Sequence, residues 1–266
     1  MRGGIEYLDE GPPGGRSSPQ SVLFLHGLGA TAEAWRAQLD GLSPMMRCVA
    51  WTMPGYGRSR PLRGEVSIAA LADAAAELIE GLELPRMAVV GHSMGGFVAQ
   101  ELALRHPERV ERLVLVSTAP AFGGEDGPEG LVAAEFLAAR MEPVNEGRRM
   151  QYIARQVVPT MVAPDCPLTV QEAAMKLMGA LPPASYRAAL EAVVRFDARD
   201  RLGGLSRPTL CVTGSLDTAT PPADAERLAG LIPDARLELV DGAGHLLPME
   251  RPDDLNRLIR SFLVWM

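Results

Sequence analysis

One stretch, Met87-Ala-Val-Val-Gly91-His-Ser93-Met-Gly95-Gly96-Phe-Val-Ala99, constrains the fold more than any other: an apolar run with strand character stops at a serine set between glycines, then resumes with helical character. A chain that turns sharply from strand to helix at Ser93 drives the residues two positions to either side against neighbouring backbone. Gly91 and Gly95 therefore have a steric reason to lack side chains. The expected local shape is a nucleophile elbow, with the Ser93 hydroxyl exposed above a sheet. A turn that merely requires small residues is the plainer alternative, and the strand-to-helix setting favours the elbow.

Around that elbow, short apolar runs alternate with helical periodicity. Strands are expected at Ile5 to Leu8, Val22 to Leu25, Cys48 to Trp51 and Val110 to Val116, then at Pro208 to Thr213 and Arg236 to Val240. Helices are expected at Thr31 to Leu42 with Thr31 as N-cap, Val66 to Leu82, Met94 to Arg105 closed by His106, Pro222 to Leu231 and Asp253 to Trp265. Loops are expected at Gly11 to Pro19 and Pro54 to Ser59. Such alternation predicts an α/β fold, a mostly parallel sheet with helices on both faces.

Between Ala119 and Arg207 the rhythm changes. After a glycine-rich loop ending at Gly130, helical patterns cover Leu131 to Met141, Glu146 to Val158, Thr169 to Leu181 and Ala184 to Phe196, the third opening on a Thr169/Glu172 capping box. No strand intervenes. The expected division is a core of residues 1–118 and 207–266 with a helical cap at 119–206. Met141, Met150, Met161, Met175 and Met178 give the cap flexible thioethers for an adaptable apolar pocket, or simply for packing its helices together.

Composition narrows the function classes. A length of 266 residues, 47% of them hydrophobic, suffices for one large domain. The net charge is −7 and the basic residues are scattered, which argues against nucleic acid or an anionic membrane as partner. Cys48, Cys166 and Cys211 are odd in number and lack metal-ligand spacing, so neither a disulfide frame nor a bound metal is expected. The segment after Arg2 lacks an apolar signal core, and no run approaches the ~18 apolar residues of a membrane span, so a cytoplasmic location is expected.

His26-Gly27, Pro54-Gly55-Tyr56-Gly57-Arg58-Ser59, Gly91 to Gly96, Gly214-x-x-Asp217 and Gly242-x-Gly-His245, in that order, resemble the α/β-hydrolase superfamily, and within it the 3-oxoadipate enol-lactonases and related small esterases. The resemblance implies the α/β-hydrolase fold, with a helical cap inserted after the sixth strand. Two departures stand out. Thr52 occupies the place of an Asp that usually precedes the Pro-Gly-x-Gly loop, and the family's first strand has no counterpart in the sequence.

A serine needs a base to become a nucleophile. Of the four histidines, His92 adjoins Ser93 and should point away from it, His26 precedes a loop, and His106 caps a distant helix end. His245, on a glycine-freed loop after the last strand, remains. Asp217 follows the strand before it and is the expected acid partner of His245, while the position after Val116 holds Ser117 and Thr118. The backbone amides of Leu28 and Met94 are the candidate oxyanion donors. Phe122 and Leu246 are candidate substrate contacts. Arg148 and Arg155, on one face of the expected helix Glu146 to Val158 with Arg149 turned away, could hold a substrate carboxylate, or could be solvated surface charges.

The leading expectation is a cofactor-independent serine hydrolase of a small carboxylic ester or lactone, working through an acyl-Ser93 intermediate. Two other readings stay open: hydrolysis of a carbon–carbon bond in a ring-cleavage product, although relatives of that kind tend to carry Asn in place of His92, and a non-catalytic small-ligand receptor on the same fold. The sequence leaves oligomeric state open.

Overall fold

Strand alternation decides the layering. Along β2 (Ser21–Leu25), Val22 and Phe24 point to one side while Leu23 and Leu25 point to the other, and all four are fully buried, so both faces of this strand must be covered. The same holds for β3 (Arg47–Thr52) and β4 (Met87–His92), each buried throughout. In the computed structural model, which describes residues 1, 3–12, 20–123 and 131–264, these strands form a seven-stranded sheet with β1 (Glu6–Glu10), β5 (Val110–Val116), β6 (Thr209–Gly214) and β7 (Arg236–Val240). The order is β1-β3-β2-β4-β5-β6-β7. β1 runs antiparallel to β3, and every other pairing is parallel.

One face buries Val22, Phe24, Cys48 and Val90 beneath Leu39 and Leu42 of α1 (Arg36–Leu42). On the other face, Leu23, Leu25, Val49 and Val89 pack under Leu71 of α2 (Ile68–Gly81) and Phe97 and Leu102 of α3 (Met94–Arg105). Crossover helices on both faces are what a parallel sheet requires. The three cysteines are buried free thiols, and burial pushes Cys48 up to about 12, where the thiolate is absent at neutral pH.

Between β5 and β6 lie four helices, α4 (Leu131–Asn145), α5 (Met150–Val157), α6 (Leu168–Gly179) and α7 (Pro183–Val194), with no strand of the sheet among the described residues there. The chain leaves and rejoins the sheet at one place. The Phe122 amide donates to the Phe196 carbonyl at 3.0 Å, the Ala198 amide to the Pro120 carbonyl at 2.9 Å, and Ala121 bridges Asp197. The fold closes with α8 (Pro222–Leu231), the short α9 (Leu247–Glu250) and α10 (Pro252–Val264), whose Ile259 and Phe262 join the face under α1. No helix among the described residues is long and apolar enough to cross a membrane.

Val110–Val116, after which the four helices are inserted, is the fifth strand of the described sheet. Several local expectations are corrected. The helix expected at Glu146 to Val158 is interrupted, because α4 runs on to Asn145 and Gly147 then adopts φ +72°, a turn conformation that ends it before α5 begins. Thr169 and Glu172 form no capping box. Leu168 is already helical, and the Pro167 carbonyl accepts the Val170 and Gln171 amides, proline supplying the helix-start geometry in place of a side-chain cap. Thr31 likewise makes no side-chain cap; a 3-10 turn at Ala32–Trp35 precedes α1, and the Ala32 amide reaches Thr52 Oγ1 at 3.3 Å instead. The glycine-rich loop ending at Gly130, most of the loop from Gly11 to Pro19, and Trp265 at the end of the last helix lie outside the described residues.

Candidate active site

β4 passes into α3 at Ser93, which adopts φ +53°, ψ −120°, a conformation costly for a residue with a side chain, roughly 1–3 kcal/mol. Three bonds hold it there. The Ser93 amide donates to the Val116 carbonyl at 2.9 Å, and the Ser93 carbonyl accepts from Thr118 Oγ1 at 2.9 Å and from the Gly96 amide at 2.8 Å. A Cβ on Gly91 would overlap the Gly95 carbonyl, and one on Gly95 would overlap the carbonyls of Leu25 and His26. The glycines thus let the strand, the turn and the helix stack at backbone contact.

Ser93, Asp217 and His245 follow β4, β6 and β7 respectively, all at the carboxyl edge of the sheet, where an open parallel sheet opens its crevice. His245 Nε2 lies 2.9 Å from Ser93 Oγ, and its Nδ1 lies 2.9 and 3.1 Å from the two carboxylate oxygens of Asp217. The His245 backbone is fixed on both sides, its amide donating to the Met161 carbonyl and its own carbonyl accepting from His92 Nε2, each at 2.7 Å. Asp217 is buried and accepts from the Ala219 and Thr220 amides, both at 2.9 Å, and from Thr220 Oγ1 at 3.0 Å. Burial raises this carboxyl, but the His245 ring and the bonds from His245 and Thr220 outweigh it and hold Asp217 below the usual carboxylate range. A buried carboxylate so bonded presents a fixed acceptor to the Nδ1–H of the imidazole.

The other histidines have separate tasks. His92, whose Nε2–H must donate to the His245 carbonyl, is pushed down to about 3, first by burial and then by His245. His26 donates from Nδ1 to the Gly27 carbonyl at 2.8 Å and accepts the Met53 amide on Nε2 at 3.0 Å, so its neutral tautomer is dictated by both partners. Burial pushes it down to about 4. His106 ends α3 and sits 2.7 Å from Asp73.

Leu28 and Met94 both line the cleft above Ser93. Met94 is the first residue of α3, so its N–H has no intrahelical acceptor. Leu28 lies in the turn closed by the Ala30 amide on the Gly27 carbonyl, and Tyr56, stacked on His26, donates its phenol to the Leu28 carbonyl at 2.7 Å.

Above these groups a cleft with about 150 Å³ of open space lies between the sheet edge and the four inserted helices. Phe122 and Leu246 line it, as do Phe97, Phe136, Val157 and Leu177. Of the five methionines in the inserted block, Met161 and Met178 reach the cleft. Arg148 and Arg155 do not. The break at Gly147 takes Arg148 off the helix that carries Arg155, and Arg148 pairs with Glu146 at 3.2 Å and lies over the Tyr152 ring. Arg155 is exposed because Met150, Ile153, Ala154 and Val157 form the buried face of α5. The arginine that lines the cleft is Arg140 of α4, a residue that periodicity places on a helix without saying which way that helix faces. Thr220 is a second site residue absent from the expectations, although Asp followed by Thr three residues later is a known turn pattern in which the carboxylate takes the following amides. Among the described residues no group of three or more His, Cys, Asp or Glu side chains converges as metal ligands.

Over 246 residues, 91% of this chain and 92% of the relative, the sequence is 30% identical to the pimeloyl-(acyl-carrier protein) methyl ester esterase of Yersinia enterocolitica. Among solved structures, the enol-lactonase from Burkholderia xenovorans LB400 superposes with a TM-score of 0.88 at 26% identity, covering 98% of this chain and 96% of that one. A thermophilic esterase from Thermogutta terrifontis, solved with malate bound, superposes with a TM-score of 0.85 at 29% identity, covering 98% and 93%. The family profile described as the alpha/beta hydrolase fold matches residues 20–252, nearly the whole of the sheet and its insertions, and the chain accordingly belongs to the alpha/beta hydrolase family.

Proposed function

We propose that the protein is a serine hydrolase of small carboxylic esters or lactones. The observation that carries this reading is the unbroken hydrogen-bonded line from Ser93 Oγ through both nitrogens of His245 to Asp217, opening on an apolar cleft. His245 Nε2 takes the hydroxyl proton as Ser93 Oγ attacks the substrate carbonyl, and Asp217 stabilises the imidazolium across the Nδ1 bond. The tetrahedral oxyanion faces the Leu28 and Met94 amides, each such donor commonly being worth ~3 kcal/mol. Collapse transfers the proton from His245 to the departing alkoxide and leaves an acyl-Ser93 ester. Water, deprotonated by the same nitrogen, then attacks the acyl carbonyl and releases the acid, restoring the Ser93 hydroxyl. Every step uses side chains and amides of this chain.

The named activities of the relatives, a methyl ester esterase, an enol-lactonase and an esterase, support an ester or lactone as the bond cleaved. The experiment is a panel of p-nitrophenyl esters, lactones and a vinylogous diketone compared by kcat/KM in wild type and Ser93→Ala. Esters or lactones should lead the panel, and Ser93→Ala should lose at least about 10³ in kcat. A diketone as the leading substrate would assign carbon–carbon hydrolysis instead.

A further inference from the structure

The loop that carries His245 rests directly on the inserted block. A Cβ on Gly244, the residue before the base, would overlap the Ala163 nitrogen, the Val162 carbonyl carbon and the Met161 carbonyl oxygen, so the two segments meet at backbone contact. Across that contact the His245 amide donates to the Met161 carbonyl at 2.7 Å. A carboxylate closes it from the side. Glu250, the last residue of α9, accepts on Oε2 from the Ala163 amide at 2.7 Å and from the Gly244 amide at 3.1 Å. One oxygen therefore ties the loop after β7 to the segment between α5 and α6. The acid's loop meets the same segment, because Thr218 Oγ1, beside Asp217, donates to the Thr160 carbonyl at 3.3 Å.

Reach, rather than charge, is what this position supplies. Burial raises the Glu250 carboxyl above its usual range, the Ala163, Gly244 and Leu246 amides pull it down without prevailing, and the charge of Asp217 adds to the rise. The Cys166 thiol faces it from the inserted block, itself pushed up to about 11 by burial and by Glu250. A second anion is thus disfavoured where Asp217 already provides the one that an imidazolium at His245 needs. Two donors on buried residues, Ala163 and Gly244, nonetheless require an acceptor there, and losing it would leave both unpaired and release the loop. The line from His245 Nε2 to Ser93 Oγ is 2.9 Å long, and a displacement of about 1 Å in such a contact can cost about a hundredfold in rate.

From this arrangement we infer that Glu250 is a positioning residue for His245: one carboxylate oxygen pins the histidine loop to the inserted segment Met161–Ala163 and so keeps Nε2 in reach of Ser93. The inference rests on the reading of Ser93 and His245 as nucleophile and base. It makes the segment after α5 part of the catalytic frame rather than of a detachable lid, and Met161, whose carbonyl holds the His245 amide, also lines the cleft where substrate enters.

The test sets reach against charge. Glu250→Gln keeps an oxygen at the same distance and removes the charge, whereas Glu250→Asp keeps the charge and is one methylene too short to serve both amides. With p-nitrophenyl acetate, and with active sites counted by titration with a fluorophosphonate, kcat per site should fall about fivefold or less in Glu250→Gln and about tenfold to a hundredfold in Glu250→Asp, KM staying near the wild-type value in both. A merely structural role would lower Tm and the number of titrated sites but leave kcat per site alone. Equal losses, a larger loss in Glu250→Gln, no loss in Glu250→Asp, or a loss carried by KM overturns the assignment. If Glu250→Asp does not fold, hydrogen exchange and kinetics of Glu250→Gln decide: the Ala163 and Gly244 amides should be protected in wild type and in this variant with kcat within about fivefold, and an unprotected amide or a greater loss overturns it. Ser93→Ala separates the two possible failures. Loss of hydrolysis in that variant beside a wrong ordering of Gln and Asp removes the role of Glu250 and keeps the nucleophile, whereas survival of hydrolysis removes the nucleophile and with it the inference.

Discussion

The Nδ1–H of His26 donates to the carbonyl of Gly27 at 2.8 Å, and that carbonyl belongs to the peptide unit whose N–H is that of Leu28. In a trans peptide the two dipoles point in opposite directions, so the imidazole that holds the carbonyl also aims the amide. Hydrogen bonding at the oxygen polarises the N–H in the same sense. His26→Ala should therefore act on the transition state, lowering kcat by about tenfold or more with KM near the wild-type value. Steady-state kinetics check this, and a raised KM with kcat unchanged would contradict it.

Asp217→Asn keeps the shape of the acid but offers an amide where His245 Nδ1–H needs an acceptor. By the reasoning that fixes the tautomer, kcat should fall by about 10³ to 10⁴. Thr220→Val removes one of the donors to Asp217 and should cost about fivefold, the worth of a single hydrogen bond of ~1 kcal/mol. The ordering of the two losses is the check.

Backbone contact at the elbow predicts an asymmetry between glycines. Gly95→Ala forces a methyl into two carbonyls and should destabilise the fold by about 3 kcal/mol or more, read as a drop in Tm or in soluble yield. Gly230, in α8, has nothing within 4 Å of the place a Cβ would take, and Gly230→Ala should raise stability by about 0.5–1 kcal/mol.

Two buried neutral histidines make the fold acid-sensitive. His26 and His92 are held near about 4 and about 3, below the 6.5 of the unfolded chain. Between those values the unfolded state binds protons that the folded state does not, so stability is fully present above pH 6.5 and is lost as pH falls. Each histidine contributes about 1.4 kcal/mol per pH unit in that window. Urea midpoints at pH 7 and pH 5 should show the loss, and His92→Gln, which can still donate to the His245 carbonyl, should reduce the slope by about one proton. An unchanged slope would mean that His92 is not neutral and buried.

The central strands are legible in the sequence because they are buried on both faces and read as nearly unbroken apolar runs between turns, whereas Arg236–Val240, largely exposed at the sheet edge, is read from its place between turns; the elbow is announced by its glycines. The three residues found hydrogen-bonded at the site each follow a strand of one sheet, so naming the strands brings them to one edge. The inserted helices are harder to read. Their ends are set by backbone events, the φ of Gly147 and the proline before Leu168, that side-chain periodicity does not register. A helix drawn unbroken through Gly147 brings Arg148 and Arg155 onto one face, where the turn in fact separates them. Arg140 falls within an expected helix, but its aim into the cleft follows from how α4 packs against α7, a long-range contact with no local signature. Thr52 is conspicuous as a departure, and its hydroxyl accepts the Ala32 amide, a local task that composition cannot reveal.

The central claim is covalent catalysis by Ser93, and the most direct measurement is intact-protein mass spectrometry on wild type quenched during turnover of p-nitrophenyl acetate, followed by peptide mapping. The account predicts one acetyl group per chain, located on Ser93 and absent from Ser93→Ala. Turnover with the acetyl group on another residue, or undiminished turnover in Ser93→Ala, would contradict it.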